Sequence, residues 1–266
     1  MDTPPQIGLH HPRIKQLRHI VANTGSNRHH LLAAEGLWAH EVLLELGVPV
    51  EVFLWCPEAA YSPSAGRIAS EVIARARSAY RISERVLARI AERERPDGLL
   101  SLVPLPMWEP DTVPLGDNAL VLVADGIEIP GNLGTLLRTL DACGADCLVM
   151  TNRRTRLSHP KVFRGSRGMN LRIPVLDFDR TEDAIAWLLR NGFRVHLATP
   201  GPSAVDYHRV AFGGRTALVV GNERKGITPP WFGRGFTEIA VPMRGRADSL
   251  NVAVSAAILL YAARYP

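Results

Sequence analysis

Three short polar clusters in the second half of this 266-residue chain contain residues that could bind a ligand or take part in a reaction. They lie at residues 130–138, 221–226 and 241–251. The first contains Asn132 and Arg138, the second Glu223, and the third Ser249 and Asn251. Amide, carboxylate, guanidinium and hydroxyl groups can hold a phosphate or a sugar and stabilise developing charge. Each cluster alone is equally typical of a helix cap or an exposed loop, so the combination is the informative feature.

The elements around these clusters alternate between predicted strands and predicted helices. Apolar runs predict strands at residues 119–125, 147–151, 193–199, 216–221 and 238–243. Helical periodicity predicts helices at residues 132–143, 181–190 and 250–264. This alternation predicts a doubly wound α/β domain, whose parallel sheet is covered by helices and binds ligands at the carboxyl ends of its strands. We expect Asn132 and Ser249 to cap the first and the last of these helices.

A proline-rich segment precedes this domain and predicts a division of the chain. Four prolines between residues 104 and 114 exclude a helix interior or a central strand. We therefore predict a linker at residues 106–117, between a smaller domain at 1–105 and the larger one at 118–266. In the smaller domain, periodicity predicts helices at 30–46, 69–79 and 83–94, the last capped by Ser83, and strands at 48–55 and 98–103. These elements predict a small α/β module.

The positive charge of the chain is carried almost entirely by arginine. The 31 basic residues include only three lysines, and the net charge is +5. Seven basic residues and no acidic ones lie between Arg153 and Arg172. Clustered guanidinium groups bind phosphate oxygens in pairs, so this segment predicts RNA or DNA binding, with a solvated basic face as the alternative. The residues assigned to RNA binding are Arg153, Arg154, Arg156, Lys161, Arg164 and Arg167.

Composition excludes several other classes of protein. With 46% hydrophobic and 21% charged residues, the chain is typical of folded globular proteins. Its longest apolar stretch, residues 252–263, is shorter than the roughly 20 residues that cross a bilayer, and its N-terminus lacks a signal peptide, so we expect a cytoplasmic protein without membrane contact. Three cysteines without zinc-ligand spacing indicate no disulfide framework and no metal site. The glycine fingerprint of dinucleotide-binding enzymes does not follow the first predicted strand.

Taken in order, the patterns N-x-G-x-x-x-R, G-N-E-x-x-G and P-M-x-G-x-x-x-S-L-N resemble the three motifs of the SpoU RNA ribose methyltransferases, TrmH-like members of the SPOUT superfamily. The resemblance covers residues 118–266. Residues 1–103 more loosely resemble the L30e-like RNA-binding domain that precedes it in some members, including thiopeptide-resistance enzymes. The resemblance implies a deep trefoil knot and a homodimer packed through the knot. Two departures are Arg224, where a small residue is frequent, and SLNVAVSAA in place of SLNVSVAAA.

The resemblance further implies methyl transfer from S-adenosylmethionine to a ribose 2′-hydroxyl. Since a guanidinium is charged at neutral pH, we expect Arg138 to hold an RNA phosphate and stabilise the developing alkoxide. Asn132 and Glu223 would order Arg138 and the loops, while Ser249 and Asn251 would position the ribose and the knot helix. Arg164 matches a recurring basic residue beside the active site. The resemblance assigns cofactor binding to Thr199, Pro200, Gly221, Asn222, Val241, Met243 and Leu250.

Ribosomal RNA, from the large subunit, is the expected substrate because a separate RNA-binding module precedes the second domain. The first alternative is a methyltransferase of the same type that acts on tRNA. The second is a non-catalytic RNA-binding protein with the same fold, against which the complete set of motif residues argues. An oxidoreductase or a small-molecule methyltransferase would leave the basic segment unexplained.

Overall fold

The computed structural model describes residues 3–23, 25–93 and 96–265. The chain forms two compact units. The first comprises Met1–Pro106 and Leu157–Arg164, and the second comprises Met107–Arg156 and Gly165–Pro266. Each unit contains its own sheet.

The first unit is a four-stranded sheet with helices. Its strands follow the order β1-β4-β2-β3, in which β4 is antiparallel to β1 and β2, and β2 is parallel to β3. A core of apolar side chains from the sheet and from α1 and α4 holds the unit together. Its elements are α1 (Pro12–Val21), β1 (Leu31–Glu35), α2 (Leu37–Glu45), β2 (Val52–Trp55), α3 (Pro63–Arg75), β3 (Ala79–Arg81), α4 (Glu84–Leu87) and β4 (Leu99–Pro104).

Several element predictions for this unit were wrong. The helix predicted at 30–46 contains β1 and α2, separated by Gly36 with a positive φ of 99° that favours glycine. The helix predicted at 69–79 begins at Pro63, ends at Arg75 and is followed by β3. Short apolar runs fit a helix or a buried strand equally well, which explains the first error.

The prediction of a helix at 83–94 was also too long. Only α4 lies there as a helix, and Glu94 falls outside the described residues. Ser83 precedes α4, but in the described structure its side chain makes no capping hydrogen bond. The strand predicted at 48–55 is shorter, since β2 begins at Val52.

The second half of the chain was predicted more accurately. The strand at Cys147–Thr151 and the helix at Thr181–Arg190 have the predicted bounds, and the other predicted elements differ by a few residues at their ends. The elements are β5 (Leu120–Asp125), α5 (Pro130–Cys143), β6 (Cys147–Thr151), α6 (Pro160–Ser166), β7 (Val175–Asp177), α7 (Thr181–Arg190), β8 (Arg194–Ala198), β9 (Val205–Asp206), β10 (Thr216–Val220), β11 (Thr237–Ala240) and α8 (Val252–Arg264).

The sheet of the second unit has seven strands in the order β7-β6-β5-β10-β8-β11-β9, and every neighbouring pair is parallel. The predicted α/β fold with a parallel sheet is therefore confirmed. Strand β10 lies between β5 and β8, so a segment later in the chain is inserted between two earlier strands. This insertion gathers the loops after β5, β8, β10 and β11 at one edge, since parallel strands end on the same side.

Both faces of the central strands β5, β6 and β10 are buried. Val121 and Val123 of β5 pack in one cluster with Trp187 of α7, which is 1% exposed. Leu120 and Leu122, which point to the opposite face, are equally buried. Helices α5 and α8 pack against each other, and α8 also contacts β5 and β10. The central strands therefore consist of uninterrupted apolar runs, as expected for parallel strands buried on both faces.

The proline-rich segment predicted as a linker packs against the second unit. Val113 belongs to the core cluster of that unit, and Trp108 and Leu115 pack against it. The indole Nε1 of Trp187 donates a hydrogen bond to the carbonyl oxygen of Pro110 at 3.1 Å. The segment contains a short 3-10 helix at Pro110–Thr112 and is therefore structured, not an extended spacer.

Among the helices that the structure describes, none is long and apolar enough to cross a membrane. Cys56, Cys143 and Cys147 are buried free thiols.

We expect Trp187→Ala to lower the free energy of unfolding by about 3–5 kcal/mol, because the substitution leaves a cavity among closely packed side chains. Urea denaturation followed by circular dichroism measures this change. Leu189→Ala, at a position 52% exposed on the same helix, is the matched control. Equal effects of the two substitutions would contradict the packing described here.

Candidate active site at the carboxyl edge of the sheet

A chain of hydrogen bonds joins the three polar clusters of the sequence. The side-chain amide of Asn132 in α5 donates to Glu223 Oε1 at 2.8 Å. Its Oδ1 accepts from the side-chain amide of Asn251 at 3.1 Å. Three segments separated by 91 and 119 residues along the chain therefore meet at Asn132. The structure brings together these three residues of the predicted catalytic set.

Glu223 also fastens the turn that precedes α5. Its two carboxylate oxygens accept from the backbone N–H groups of Glu128 and Ile129, each at 3.1 Å. These donors lie just before the first turn of the helix, where the helix dipole also favours a negative charge. The carboxylate thus acts as a fixed anchor between the loop after β10 and the start of α5.

The pKa of Glu223 is set by two opposing effects. Partial burial raises it, whereas hydrogen bonds from the Asn132 side chain and from backbone N–H groups lower it by more. The net result is a pKa below the ordinary value of 4.5, so Glu223 is ionised at neutral pH. A stabilised carboxylate of this kind is a hydrogen-bond acceptor and a weak base.

The loop that carries Glu223 has little freedom. Asn222 and Gly226 pair across it through two backbone hydrogen bonds of 3.0 and 2.9 Å. The side-chain amide of Asn222 donates to the carbonyl oxygen of Gly126 at 2.8 Å. A side chain at Gly221 would place its Cβ 2.2 Å from the carbonyl carbon of Gly226, so only glycine fits there.

Asp125, which the sequence analysis treated only as the end of a strand, is a second anchor for this loop. The fully buried carboxylate accepts from the Thr151 hydroxyl at 2.8 Å and from the Asn152 side-chain amide at 2.6 Å. Its other oxygen accepts from the backbone N–H of Thr228 at 2.7 Å. Since Gly126 binds Asn222, both ends of the loop are attached to the end of β5. An aspartate ending an otherwise apolar strand was the available sequence signal.

A cleft of about 730 Å³ lies beside this network, where β8, β10 and β11 end. Its walls combine apolar side chains such as Ile239 and Leu259 with backbone groups of the strand ends. All seven residues predicted to bind a cofactor line it, namely Thr199, Pro200, Gly221, Asn222, Val241, Met243 and Leu250. Asn132, Glu223, Ser249 and Asn251 of the predicted catalytic set line the same cleft.

Two predicted helix caps were wrong. Helix α5 begins at Pro130 after Ile129, so Asn132 lies inside its first turn, where its side chain binds Glu223. Helix α8 is capped by Asn251, whose Oδ1 accepts from the backbone N–H of Ala253 at 2.9 Å. The hydroxyl of Ser249, the predicted cap, donates to Asp248 at 3.3 Å. Ser and Asn are equally good caps by type, and the start of the helix decides which one acts.

Arg138 lies apart from the network. It is exposed on α5 and is not among the described residues that line the cleft. Six residues along a helix correspond to a rise of about 9 Å and a rotation of about 240° from Asn132. The side chains of Asn132 and Glu223 bind each other and the segment before α5, which fits the predicted ordering of the loops. In the described structure no hydrogen bond joins either side chain to Arg138, so the predicted ordering of Arg138 stays a prediction.

The basic segment is partly neutralised within the chain. Arg153 forms an ion pair with Asp177, and Arg164 pairs with Glu92. In the first unit, Phe163 also stacks on Trp38 with a centroid distance of 5.2 Å. The other basic residues predicted to bind RNA are exposed: Arg154, Arg156, Lys161 and Arg167.

The fold and the cleft define a class of α/β protein that binds a small ligand at the carboxyl edge of a parallel sheet, through the ends of several strands. The family model of the SpoU rRNA Methylase family matches residues 119–261. The chain belongs to this family.

Known relatives and solved structures extend over most of the chain. The 23S rRNA (guanosine(2553)-2'-O)-methyltransferase RlmP of Bacillus subtilis is 31% identical over 182 residues, 68% of this chain and 71% of the relative. An uncharacterized tRNA/rRNA methyltransferase of Synechocystis sp. is 28% identical over 95% of this chain and 90% of the relative. The crystal structure of the AdoMet-bound rRNA methyltransferase from Sinorhizobium meliloti superposes with a TM-score of 0.85, at 26% identity, over 97% of this chain and 95% of that chain.

We expect Glu223→Gln to destabilise the protein by about 1 kcal/mol at pH 7, since three N–H donors lose a charged acceptor. A lowered pKa means that the carboxylate stabilises the fold fully above its ordinary pKa and loses this effect as the pH falls through its folded value. The difference in the free energy of unfolding between the wild type and the variant should therefore become smaller below about pH 4.5.

Urea unfolding at several values between pH 7 and pH 4 measures this difference. Glu182→Gln, which removes an exposed carboxylate paired with Arg180 at the start of α7, is the control for the loss of one negative charge. A difference for Glu223→Gln that stays constant with pH would contradict the anchor role.

Proposed function

We propose that this protein transfers a methyl group from S-adenosylmethionine to a ribose 2′-hydroxyl of ribosomal RNA, in the large subunit. The observation that most directly supports this proposal is the chain of hydrogen bonds from Glu223 through Asn132 to Asn251. It joins the three family motifs beside one cleft. Membership of the SpoU rRNA Methylase family and the similarity to RlmP support the reaction and the RNA class.

The residues present fit S-adenosylmethionine. A volume of about 730 Å³ lies within the roughly 300–1,000 Å³ typical of small-molecule sites. Apolar side chains such as Ile239 suit an adenine ring, and the backbone groups around Gly221 suit its ring nitrogens. The steric requirement for glycine at 221 lets the backbone of Gly226 and Ile227 pack directly behind that wall. Bound in this cleft, the cofactor would supply a methyl group activated by its sulfonium charge and would leave as S-adenosylhomocysteine, while the proton of the 2′-hydroxyl would pass to a neighbouring group or to water.

The protein residues in this proposal align and stabilise the reacting groups. Glu223 stays ionised and fixes Asn132, and Asn132 in turn holds Asn251 at the start of α8. Ser249, on the loop that lines the cleft, positions the ribose. Arg138 is an exposed cation outside the lining of the cleft in the described structure, which suits the holding of an RNA phosphate. We assign to it the stabilisation of the alkoxide as well. DNA is excluded as a substrate because it lacks the 2′-hydroxyl.

We also assign RNA binding to residues 1–105 of the first unit, as an L30e-like domain. A second assignment is to the exposed arginines of the basic segment. Arg154 and Lys161 are exposed cations in that segment. Arg153 and Arg164 must exchange their carboxylate partners for phosphate, which reduces their net contribution. Binding of RNA should still weaken with salt.

The proposal includes a trefoil knot in the second unit. The insertion of β10 between β5 and β8 supports it, as does the return of the chain from β11 to α8, which packs against α5. A knot is an exception to the rule that protein chains do not thread through loops. It would hold the three loops of the cleft together without a disulfide.

The proposal also includes a homodimer packed through α8. Val254, Tyr261 and Tyr265 are 49%, 45% and 67% exposed. A spacing of seven residues places Val254 and Tyr261 on one face of the helix. Tyr265 follows the last helical residue, and its ring lies 6.0 Å from that of Tyr261 between centroids. An exposed apolar stripe of this kind is typical of a surface that packs against another protein.

The test of the function is transfer of a radiolabelled methyl group from S-adenosylmethionine to unmodified large-subunit rRNA, small-subunit rRNA and tRNA. We expect label in large-subunit rRNA. Arg138→Ala should reduce transfer at least 100-fold, the size of effect seen when a group that stabilises developing charge is removed. Its affinity for S-adenosylmethionine should stay within twofold, because Arg138 does not line the cleft in the described structure.

Arg190→Ala, an exposed arginine at the end of α7, is the control and should keep full activity. Label in tRNA alone would favour the tRNA alternative. Cofactor binding without transfer to any of the three RNAs, or no cofactor binding, would overturn the proposed reaction.

For the dimer, we expect the wild type to sediment as a dimer at micromolar concentration and Val254→Asp/Tyr261→Asp to sediment as a monomer. Two carboxylates in an apolar interface would have to be buried without partners. Sedimentation velocity measures the change, with Leu189→Asp as the control on α7. A monomeric wild type, or a variant that remains dimeric, would contradict the α8 interface.

A further inference from the structure

Two loops at the mouth of the cleft carry four basic side chains that the sequence analysis did not assign to RNA binding. The loop after β10 carries Arg224 and Lys225, and the loop after β11 carries Arg244 and Arg246. All four are exposed. Arg224 itself lines the cleft, and Arg244 follows Met243, which also lines it. These four residues are called the rim cations below.

The rim cations differ in their partners from several other arginines of the second unit. Arg153, Arg172 and Arg264 form ion pairs with Asp177, Asp141 and Asp146. Within residues 3–23, 25–93 and 96–265, the structure shows no ion pair for any rim cation. Binding a phosphate therefore costs these four residues no existing ion pair.

The loop after β10 also holds its cations in place. Asn222 Oδ1 accepts from the backbone N–H groups of Arg224 and Lys225 at 2.9 and 3.0 Å. The same loop directs Glu223 inward to Asn132. One short turn thus presents an anchored carboxylate to the protein and two cations to the solvent. A loop that is already ordered loses less entropy when it binds a ligand.

The charge of the two loops favours an anion at the cleft mouth. Residues 222–226 and 243–251 contain the four rim cations and two acidic residues, Glu223 and Asp248. Glu223 is occupied by three N–H donors, and Asp248 accepts a hydrogen bond from Ser249. The net charge is therefore positive where a bound polymer would enter the cleft.

We infer that the rim cations bind the phosphates on either side of the nucleotide whose ribose enters the cleft, with Arg224 and Arg244 as the main contacts. A guanidinium can bind two phosphate oxygens at once, which fixes the direction of the strand as well as its position. This inference rests on the proposed function and specifies how its RNA substrate is held. It gives Arg224, a departure from the family pattern, a role in the substrate site.

The experiment compares Arg224→Ala/Arg244→Ala with the matched control Arg190→Ala/Arg194→Ala, which removes two exposed arginines elsewhere in the second unit. Binding of an unmodified large-subunit rRNA transcript is measured by filter retention between 50 and 300 mM KCl. For the rim variant we expect at least tenfold weaker binding at 100 mM KCl. The slope of log affinity against log salt should become shallower by about 1.4 to 1.8, for two lost phosphate contacts.

A variant that fails to fold would lose affinity for S-adenosylmethionine and kcat together with RNA binding. For the rim variant in the transfer assay, KM for RNA should rise while kcat at saturating RNA is unchanged. Affinity for S-adenosylmethionine should stay within twofold in the Arg244→Ala variant, because Arg244 is outside the lining of the cleft in the described structure. The single variant Arg244→Ala should show about half of the change in slope seen in the double variant. Arg224→Lys/Arg244→Lys should restore most of the slope because both charges are retained.

A slope and an affinity equal to those of the control would overturn the inference, as would a loss of slope that the lysine variant does not restore. The outcome is separable from that of the proposed function. If the wild type binds rRNA but transfers no methyl group, the function fails while the binding assay still decides the role of the rim cations. If transfer occurs and the rim variant binds like the control, only the rim inference fails.

Discussion

The rest of the site depends on the hydrogen bonds that the carboxylate of Glu223 accepts. This carboxylate accepts from the Asn132 side chain and from two backbone N–H groups before α5, and Asn132 holds Asn251. Hydrogen bonds to an ionised acceptor are stronger than neutral ones, and a connected network stabilises its members jointly. One side chain therefore aligns the loop after β10, the first turn of α5 and the cap of α8. The cleft wall is built from the same segments, so its shape depends on this alignment.

The strands and helices of the second unit could be predicted from the sequence because of their burial. Strands β5, β6 and β10 are covered on both faces, so they appear as continuous apolar runs with polar residues at each end. In the first unit, residues 31–35 form a strand directly followed by α2, and no local pattern separates the two. The positive φ at Gly36 marks the boundary, but glycine also occurs at many positions without that role.

The chemistry of the site was only partly predictable, because side-chain partners come from distant segments. The motifs identified Asn132, Glu223 and Asn251, but residue type alone could not decide between Ser249 and Asn251 as the cap. The basic segment appeared continuous in the sequence, yet Arg153 and Arg164 are paired with Asp177 and Glu92. The rim cations lie about 20 residues apart in sequence, and the fold brings their loops to the same cleft. The spacing of basic residues along the chain therefore does not show which of them lie close together in the folded protein.

The two roles of Asn251 have a consequence for the order of assembly. Its Oδ1 caps α8 and its amide binds Asn132, so the docking of this helix and the completion of the network are one event. During synthesis, α8 leaves the ribosome after every other element of the cleft, since domains grow from the N-terminus. A nascent chain that already contains the whole parallel sheet has Glu223 but still lacks Asn251, the donor to Oδ1 of Asn132. The hydrogen-bond network beside the cleft is therefore complete only in chains in which α8 has been made and docked.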